Sequence, residues 1–189
     1  MSETYLSYNS IVSAYGFDSI AAIENIKEEV SSLRTFEDES ILPVRFCASR
    51  IAQDALEEAF EKLDPKEVYT RLEKVLILAL EKTISVSGLD LNERVGLIIS
   101  TTKGNIDVLE KGNPFPENRA YLSEMGGKIK EFFNFQNDAI ILSNACVSGI
   151  LAVAVAKRFI QQGKYNYLYN NINNTGLVHL NESFVRHNE

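Results

Sequence analysis

The sequence predicts an α/β domain in which apolar strands pack against helices. Two continuous apolar runs of strand length, residues 95–100 and 139–144, are typical of strands covered on both faces. Apolar residues recur at helical spacing most clearly over residues 65–86, and small residues fill a helical segment after Gly149. A chain of 189 residues is long enough to bury a sizeable core.

In the first half of the chain, the residue pattern predicts one short strand followed by three helices. Polar and apolar residues interleave over residues 5–13, which favours a strand. Helical spacing covers residues 19–32, 51–63 and 65–86. For the third helix, Asp64 is the expected N-cap, Pro65 the first helical residue and Gly88 the C-cap.

The second half alternates strands and helices. The strand over residues 95–100 is followed by a possible helix start at 106–110, a loop at 113–116 and a helix at 119–133. Gly126 and Gly127 are expected to weaken that helix by roughly 1 kcal/mol each. The strand at 139–144 leads into a cysteine turn and a helix, after which residues 169–176 become rich in asparagine.

Cys146 lies where the strand at 139–144 meets the small-residue helix. A thiol there faces a helix N-terminus, whose free N–H groups and partial positive charge favour the thiolate. The same N–H groups can hold the oxyanion that forms when a thiolate attacks a carbonyl. The turn therefore predicts a nucleophile for acyl transfer, and the alternative is a buried, inert cysteine.

Residues 143–149, Ser-Asn-Ala-Cys-Val-Ser-Gly, resemble the nucleophile segment of the β-ketoacyl synthases, condensing enzymes of the thiolase fold. Similar segments follow the family's order over about residues 5–168: residues 10–16, 42–46, 69–88 and 93–104. The resemblance implies a layered thiolase-like half, with a mixed central sheet and helices on both faces. It divides the chain into a synthase-like domain, 1–168, and a divergent polar tail, 169–189.

The resemblance also implies a function. Cys146 would be the catalytic nucleophile, and its own backbone N–H would be an oxyanion donor. An acyl group would come from acyl carrier protein, and a malonyl thioester would then condense with it by decarboxylation. Phosphopantetheine is a substrate arm in this chemistry, so no bound cofactor is expected. Family members dimerise through the strand after the nucleophile helix, here about residues 165–169, where Tyr165, Tyr167 and Tyr169 alternate.

Only the first half of the family's fold is matched, and the two histidine motifs of the second half are absent. His179 and His187 lie in the polar tail and are expected to be solvated. The chain is thus either a truncated or frame-altered enzyme or a genuine half-length protein. It is expected to be inactive alone, and the competing function is a non-catalytic partner subunit of a condensing enzyme.

Composition limits the partners. Hydrophobic residues make up 45% and charged residues 24%, as in soluble globular domains, and the net charge of −7 argues against nucleic acid or anionic membrane. An acidic carrier protein would need a local basic patch. The candidate pairs, Lys157 with Arg158 and Lys128 with Lys130, are equally typical of solvated helix faces.

Other functions lack their motifs. No metal-ligand spacing or phosphate-binding loop is present, and residues 101–104 are expected to form a turn beside the substrate pocket. Cys47 and Cys146 are too few and too far apart for a disulfide framework. With neither a signal-peptide pattern nor a membrane-length apolar run, the sequence favours a reduced, cytoplasmic protein.

Overall fold

A computed structural model describes residues 4–39 and 41–173 and shows a mixed α/β fold. Within these residues, five α-helices and five strands follow one another as α1 (Ser19–Lys27), β1 (Arg34–Phe36), β2 (Phe46–Ala48), α2 (Gln53–Glu61), α3 (Arg71–Ser87), β3 (Val95–Thr101), α4 (Leu122–Phe133), β4 (Ile140–Leu142), α5 (Ser148–Gln161) and β5 (Tyr167–Asn173). Short 3-10 helices occupy Ile106–Leu109, Glu117–Ala120 and Ala145–Val147.

The main sheet has three strands in the order β4-β3-β5. The two predicted apolar runs are confirmed as neighbouring strands, with Ile98 of β3 opposite Ile140 of β4. Both pairings in this sheet are parallel, so the expectation of a mixed sheet is wrong. The reason is that α4 and α5 each connect one strand to the next, which is the crossover that parallel pairing requires. The antiparallel pair β1–β2 forms a separate sheet.

Helices pack on both faces of the three-stranded sheet. All seven residues of β3 are buried, and they alternate between two cores. Leu97 and Ile99 belong to the larger core, together with residues of α2, α3 and α4. Ile98 faces the other way, onto Ala152 and Ala156 of α5. The continuous apolar pattern of this strand is therefore explained by cover on both sides.

The helix that follows Cys146, which we expected to be among the most buried, equals α4 in its number of buried residues and is exceeded by α3. Three residues of α5 are buried, compared with six of α3. Only one face of α5 meets the sheet. The opposite face carries Ile150, whose side chain is 75% exposed, and Val147, which lies just before the helix and is 50% exposed. Nothing in the described part of the chain covers that face.

The start of α3 differs from the predicted one. The helix begins at Arg71, with Thr70 as its N-cap, because the Thr70 hydroxyl accepts the Glu73 N–H while the Glu73 carboxylate accepts the Thr70 N–H. This reciprocal capping box satisfies two otherwise free donors. Asp64 has a positive φ of 51° and lies outside the helix, whereas Gly88 is confirmed as the left-handed C-cap with φ 62°.

The predicted strand at residues 5–13 is also wrong. No strand forms there, and the nearest pairing is an isolated bridge between Ser13 and Gly16. Tyr5 and Leu6 are about four-fifths exposed, so their alternation presents no buried face of the kind that stabilises a strand. The helix expected near residue 106 is a single 3-10 turn.

The strand β5 crosses residue 168, where we expected the polar tail to begin. Its pairing with β3 runs from Val95 opposite Tyr167 to Thr101 opposite Asn173. Tyr165 does not belong to the strand; it is buried and packs edge-on against Phe159, so it covers no strand edge. The remaining residues of the Asn-rich segment, from 174 onward, lie outside the described residues.

Candidate active site

Cys146 lies on a short turn at the carboxyl edge of the main sheet. The turn begins after β4 ends at Leu142, and Cys146 is the middle residue of the 3-10 helix Ala145–Val147. The helix α5 starts at the next residue, Ser148. The predicted order of strand, cysteine turn and helix is thus present. Because the three strands are parallel, β3 and β5 also end at this edge.

The cysteine is accessible. Its side chain is exposed, and residues 143–147 are all exposed with it. The alternative of a buried, inert cysteine therefore does not describe this site. Cys47, the other free cysteine, is exposed as well, and its sulfur lies 3.6 Å from the Thr35 hydroxyl oxygen in the β1–β2 pair. The two thiols differ in their local backbone, not in their exposure.

The backbone of the turn is held in an uncommon conformation. Ala145 has a φ of 45°, a region that residues with a side chain seldom adopt. The Asn144 N–H donates to Ser148 Oγ at 2.7 Å, and the Ser148 hydroxyl donates to the Ala145 carbonyl at 2.8 Å. The Val147 N–H donates to the Asn144 carbonyl at 3.2 Å. Together these bonds close the loop of backbone that carries Cys146.

One backbone donor beside the thiol is free, although the Ser148 N–H at the start of α5 donates to the Ala145 carbonyl. Val147 stands at the N-cap position, and its apolar side chain caps no N–H group of the helix. Within the described residues, the Cys146 N–H has no hydrogen-bond partner either. Free N–H groups at a helix start attract negative charge. The arrangement is chemically suited to an oxyanion formed next to the sulfur.

The turn after β3 borders the cysteine turn. The Ser143 hydroxyl donates to the Thr102 carbonyl at 3.3 Å, which joins the two turns at the same edge of the sheet. The Gly104 N–H donates to Thr101 Oγ1 at 3.0 Å, and Gly104 has a φ of 60°. Residues 102–104 therefore form the expected turn after β3, and Thr102 contacts Ser143 at the start of the cysteine turn.

A buried polar network that sequence reasoning missed fixes the segment beyond this turn. Glu73 of α3 is fully buried and pairs with Arg119, whose guanidinium also lies over the Phe115 ring. The Asn105 amide donates to Glu73 Oε1 at 2.9 Å and accepts from the Thr70 hydroxyl at 2.8 Å. The network attaches the connection between β3 and α4 to the N-terminus of α3. The Thr-x-x-Glu spacing at residues 70–73 was its only signal in the sequence.

The two candidate basic pairs differ in the structure. Lys128 forms ion pairs with Glu67 and Glu131, and Lys130 pairs with Asp138, so this pair is largely neutralised. The hydrogen bond between Lys128 and Glu67 lowers the pKa of Glu67 and raises the pKa of Lys128.

The other pair remains available. Lys157 and Arg158 are both exposed on α5, and neither forms an ion pair with another residue in the described ranges. They extend the face of the helix that begins beside Cys146 and that the sheet does not cover.

Histidine, the side chain most often used for proton transfer, does not occur in the described residues. Both histidines, His179 and His187, lie outside the described residues. In residues 4–39 and 41–173, no cluster of three His, Cys, Asp or Glu side chains could hold a metal ion. Cavities of about 330 and 290 Å³ lie elsewhere, the first near Arg94 and Tyr167 and the second near Tyr15 and Arg50.

Comparison with known proteins gives no assignment for this chain. Neither a scan against protein-family models nor a search of curated proteins found a match. None of the helices in the described ranges has the length and apolar character needed to span a membrane. The features that bear on function are the geometry of the cysteine turn and the resemblance of residues 143–149 to the condensing enzymes.

Proposed function

We propose that this chain is the nucleophile-bearing half of a β-ketoacyl synthase-like acyltransferase with a layered, thiolase-like fold. The observation that carries the proposal is an exposed cysteine at the carboxyl edge of a parallel sheet, immediately before the 14-residue helix α5. Open α/β sheets bind their ligands at this edge. Both cysteines are free thiols, in keeping with a reducing, cytoplasmic compartment.

The first step of such an enzyme is thioester exchange. The Cys146 thiolate attacks the carbonyl carbon of an acyl thioester, and the carbonyl oxygen becomes an oxyanion that the free Cys146 N–H can stabilise. When the tetrahedral intermediate collapses, the bond to the carrier sulfur breaks. The products are an acyl group on Cys146 Sγ and the free carrier thiol, so neither oxidant nor metal is required.

The second step, decarboxylative carbon–carbon bond formation, needs groups that the described residues do not supply. General acid–base groups contribute about 10²- to 10⁴-fold each. We therefore expect this chain alone to accept an acyl group slowly and to form no carbon–carbon bond. The site is open on the side where a second half or another subunit would enclose the cysteine.

The proposed acyl donor is an acyl carrier protein that presents the substrate on phosphopantetheine. Such carriers are acidic, and this chain has a net charge of −7, so attraction depends on a local cationic surface. Lys157 and Arg158 on α5 provide one, because they are exposed and unpaired within the described chain. The pair Lys128 and Lys130 is a weaker candidate, since both already form ion pairs.

We also propose a homodimer that forms through β5. This strand is at the edge of the sheet and, within the described residues, pairs on one side only. A free edge is a template for pairing with another chain. Tyr167 and Ile172 are each 52% exposed, so association would also cover apolar surface.

One observation favours the second candidate, a non-catalytic partner subunit. The face of α5 away from the sheet carries Ile150 at 75% exposure, and Val147 beside it is half exposed. Apolar side chains at this exposure are suited to burial against another protein. In that case the surface next to Cys146, and not its sulfur, would be the functional feature.

The test is incubation with a short-chain acyl thioester followed by peptide mapping with mass spectrometry. We expect the acyl mass on the peptide that contains Cys146, its loss in Cys146→Ala and its persistence in Cys47→Ala. Acylation of neither cysteine would favour the non-catalytic subunit. Addition of a malonyl thioester should give no condensed product, and a condensed product formed by the chain alone would refute the proposed half-enzyme.

A further inference from the structure

The turn that carries Cys146 closes on one buried side chain. Ser148 is only 5% exposed, although residues 143–147 are exposed. Its hydroxyl oxygen accepts the Asn144 N–H at 2.7 Å and its hydroxyl hydrogen goes to the Ala145 carbonyl at 2.8 Å. Both the donor and the acceptor function of this hydroxyl are therefore used within the same turn.

These two hydrogen bonds act on the part of the turn whose backbone conformation is energetically unfavourable. Ala145 has a φ of 45°, and its own side chain disfavours that conformation. The Ser148 hydroxyl binds the peptide groups at the two ends of the segment formed by Asn144 and Ala145: it accepts from the Asn144 N–H and donates to the Ala145 carbonyl. Without the hydroxyl, Ala145 would have little to hold it away from the more favourable negative φ.

We propose that Ser148 is the positioning residue of the Cys146 nucleophile. It holds Ala145 in the left-handed conformation and thereby fixes the Cys146 sulfur and N–H beside the first turn of α5. The inference rests on the proposed function, in which Cys146 attacks a thioester. Ser148 itself touches no substrate; it acts through the backbone of residues 144–147.

The experiment compares Ser148→Ala and Ser148→Thr with the unaltered protein in two reactions. The first is alkylation by iodoacetamide, reported as the rate at Cys146 divided by the rate at Cys47 in the same molecule. The second is acylation of Cys146 by a short-chain acyl thioester. Ser87→Ala is the control, because it removes a hydroxyl at the end of α3 whose bond goes to the Ile84 carbonyl and not to the cysteine turn. Circular dichroism and urea unfolding confirm that each variant is folded.

For Ser148→Ala we expect the alkylation ratio to fall to about one and acylation to fall about tenfold, because attack on a carbonyl depends on the position of both sulfur and N–H. Ser148→Thr keeps the hydroxyl and should retain most of both rates, and Ser87→Ala should change neither the ratio nor acylation. A merely structural serine would lower the urea midpoint and leave the alkylation ratio unchanged.

An unchanged ratio in folded Ser148→Ala would overturn the proposal, as would a folded Ser148→Thr that behaves like the alanine variant. If the unaltered protein is not acylated at all, the proposed function fails. The alkylation ratio would still decide whether Ser148 positions the thiol, so the two failures are distinguishable.

Discussion

Gly126 of α4 lies so close to Ile141 of β4 that a β-carbon on Gly126 would come within 2.7 Å of the Ile141 Cδ1 atom. The same β-carbon would be 3.3 Å from Ala139 Cβ. This glycine therefore sets how closely the helix approaches the edge strand that leads to Cys146. Its neighbour Gly127 has no atom within 4 Å of the corresponding position, so the two glycines have different roles.

We predict opposite effects for alanine at these two positions. Gly126→Ala should reduce the free energy of unfolding by about 1–3 kcal/mol, because it overpacks the contact with β4. Gly127→Ala should increase it by roughly 0.5–1 kcal/mol, because alanine favours the helix and meets no neighbour. Urea unfolding measures both. If Gly126→Ala stabilises the protein as Gly127→Ala does, the close approach of α4 to β4 is wrong.

The overpacking can be tested separately with Ile141→Val, which removes the Cδ1 atom that the new β-carbon would meet. By itself this variant should lose about 0.5–1.5 kcal/mol. In combination with Gly126→Ala the total loss should be smaller than the sum of the two. Strict additivity would show that the two positions are not in contact.

A third prediction concerns the buried ion pair of Glu73 and Arg119. Glu73→Ala should reduce the free energy of unfolding by about 3–5 kcal/mol, because it leaves the Arg119 charge buried without its partner. The double variant Glu73→Leu with Arg119→Leu should lose less, since no unpaired charge remains. A double variant as unstable as Glu73→Ala would show that packing, and not the unpaired charge, causes the loss.

A fourth prediction concerns Ser100 of β3, which is fully buried and whose hydroxyl oxygen has no hydrogen-bond partner among the described residues. Its strand position is on the side of the sheet that faces α5. Ser100→Ala should raise the free energy of unfolding by about 1 kcal/mol, because a buried hydroxyl without a partner is unfavourable. Thr101→Ala is the contrast: it should destabilise, since Thr101 Oγ1 accepts the Gly104 N–H. A loss of stability in Ser100→Ala would contradict the unpartnered hydroxyl.

The fifth prediction is a pH dependence at the surface of α4. Because the hydrogen bond from Lys128 lowers the pKa of Glu67, this pair stabilises the fold above about pH 4.5, and the contribution disappears as the pH falls through the lowered pKa. In Lys128→Met the pKa of Glu67 should rise to about 4.5, as followed by NMR titration. The pKa of Asp138, which Lys130 lowers, should stay the same. An unchanged Glu67 pKa would contradict the pairing.

The strands of the main sheet show what the sequence could and could not predict. Because both faces of β3 are covered, the strand needs apolar residues at successive positions, and the sequence shows this as a continuous run at residues 95–100. By contrast, β5 contains Asn170 and Asn171, residues that normally argue against a strand. Asn171 is buried there because its amide donates to the Leu76 carbonyl of α3 at 2.8 Å. That partner is distant in the sequence, so local preference could not reveal it.

The same distinction holds for the candidate site. The strand, turn and helix around Cys146 were predictable, since each depends on local residue pattern. The buried network was not, because Asn105 joins Thr70 and Glu73 only when the chain folds, and the local Thr-x-x-Glu spacing indicates the capping box alone. The exposed face of α5 was also unexpected, because small residues indicate that close packing is feasible without showing that a neighbour is present.

The most direct test of the central claim, that Cys146 is the nucleophile, is competition between the two thiols for limiting iodoacetamide at neutral pH. Both cysteines are exposed, so Cys47 serves as an internal reference within each molecule. A helix N-terminus favours a neighbouring anion by about 0.3–1 kcal/mol, and Cys146 should therefore be labelled about two- to fivefold faster than Cys47. Equal labelling, or faster labelling of Cys47, would contradict the assignment of Cys146 as an activated thiol.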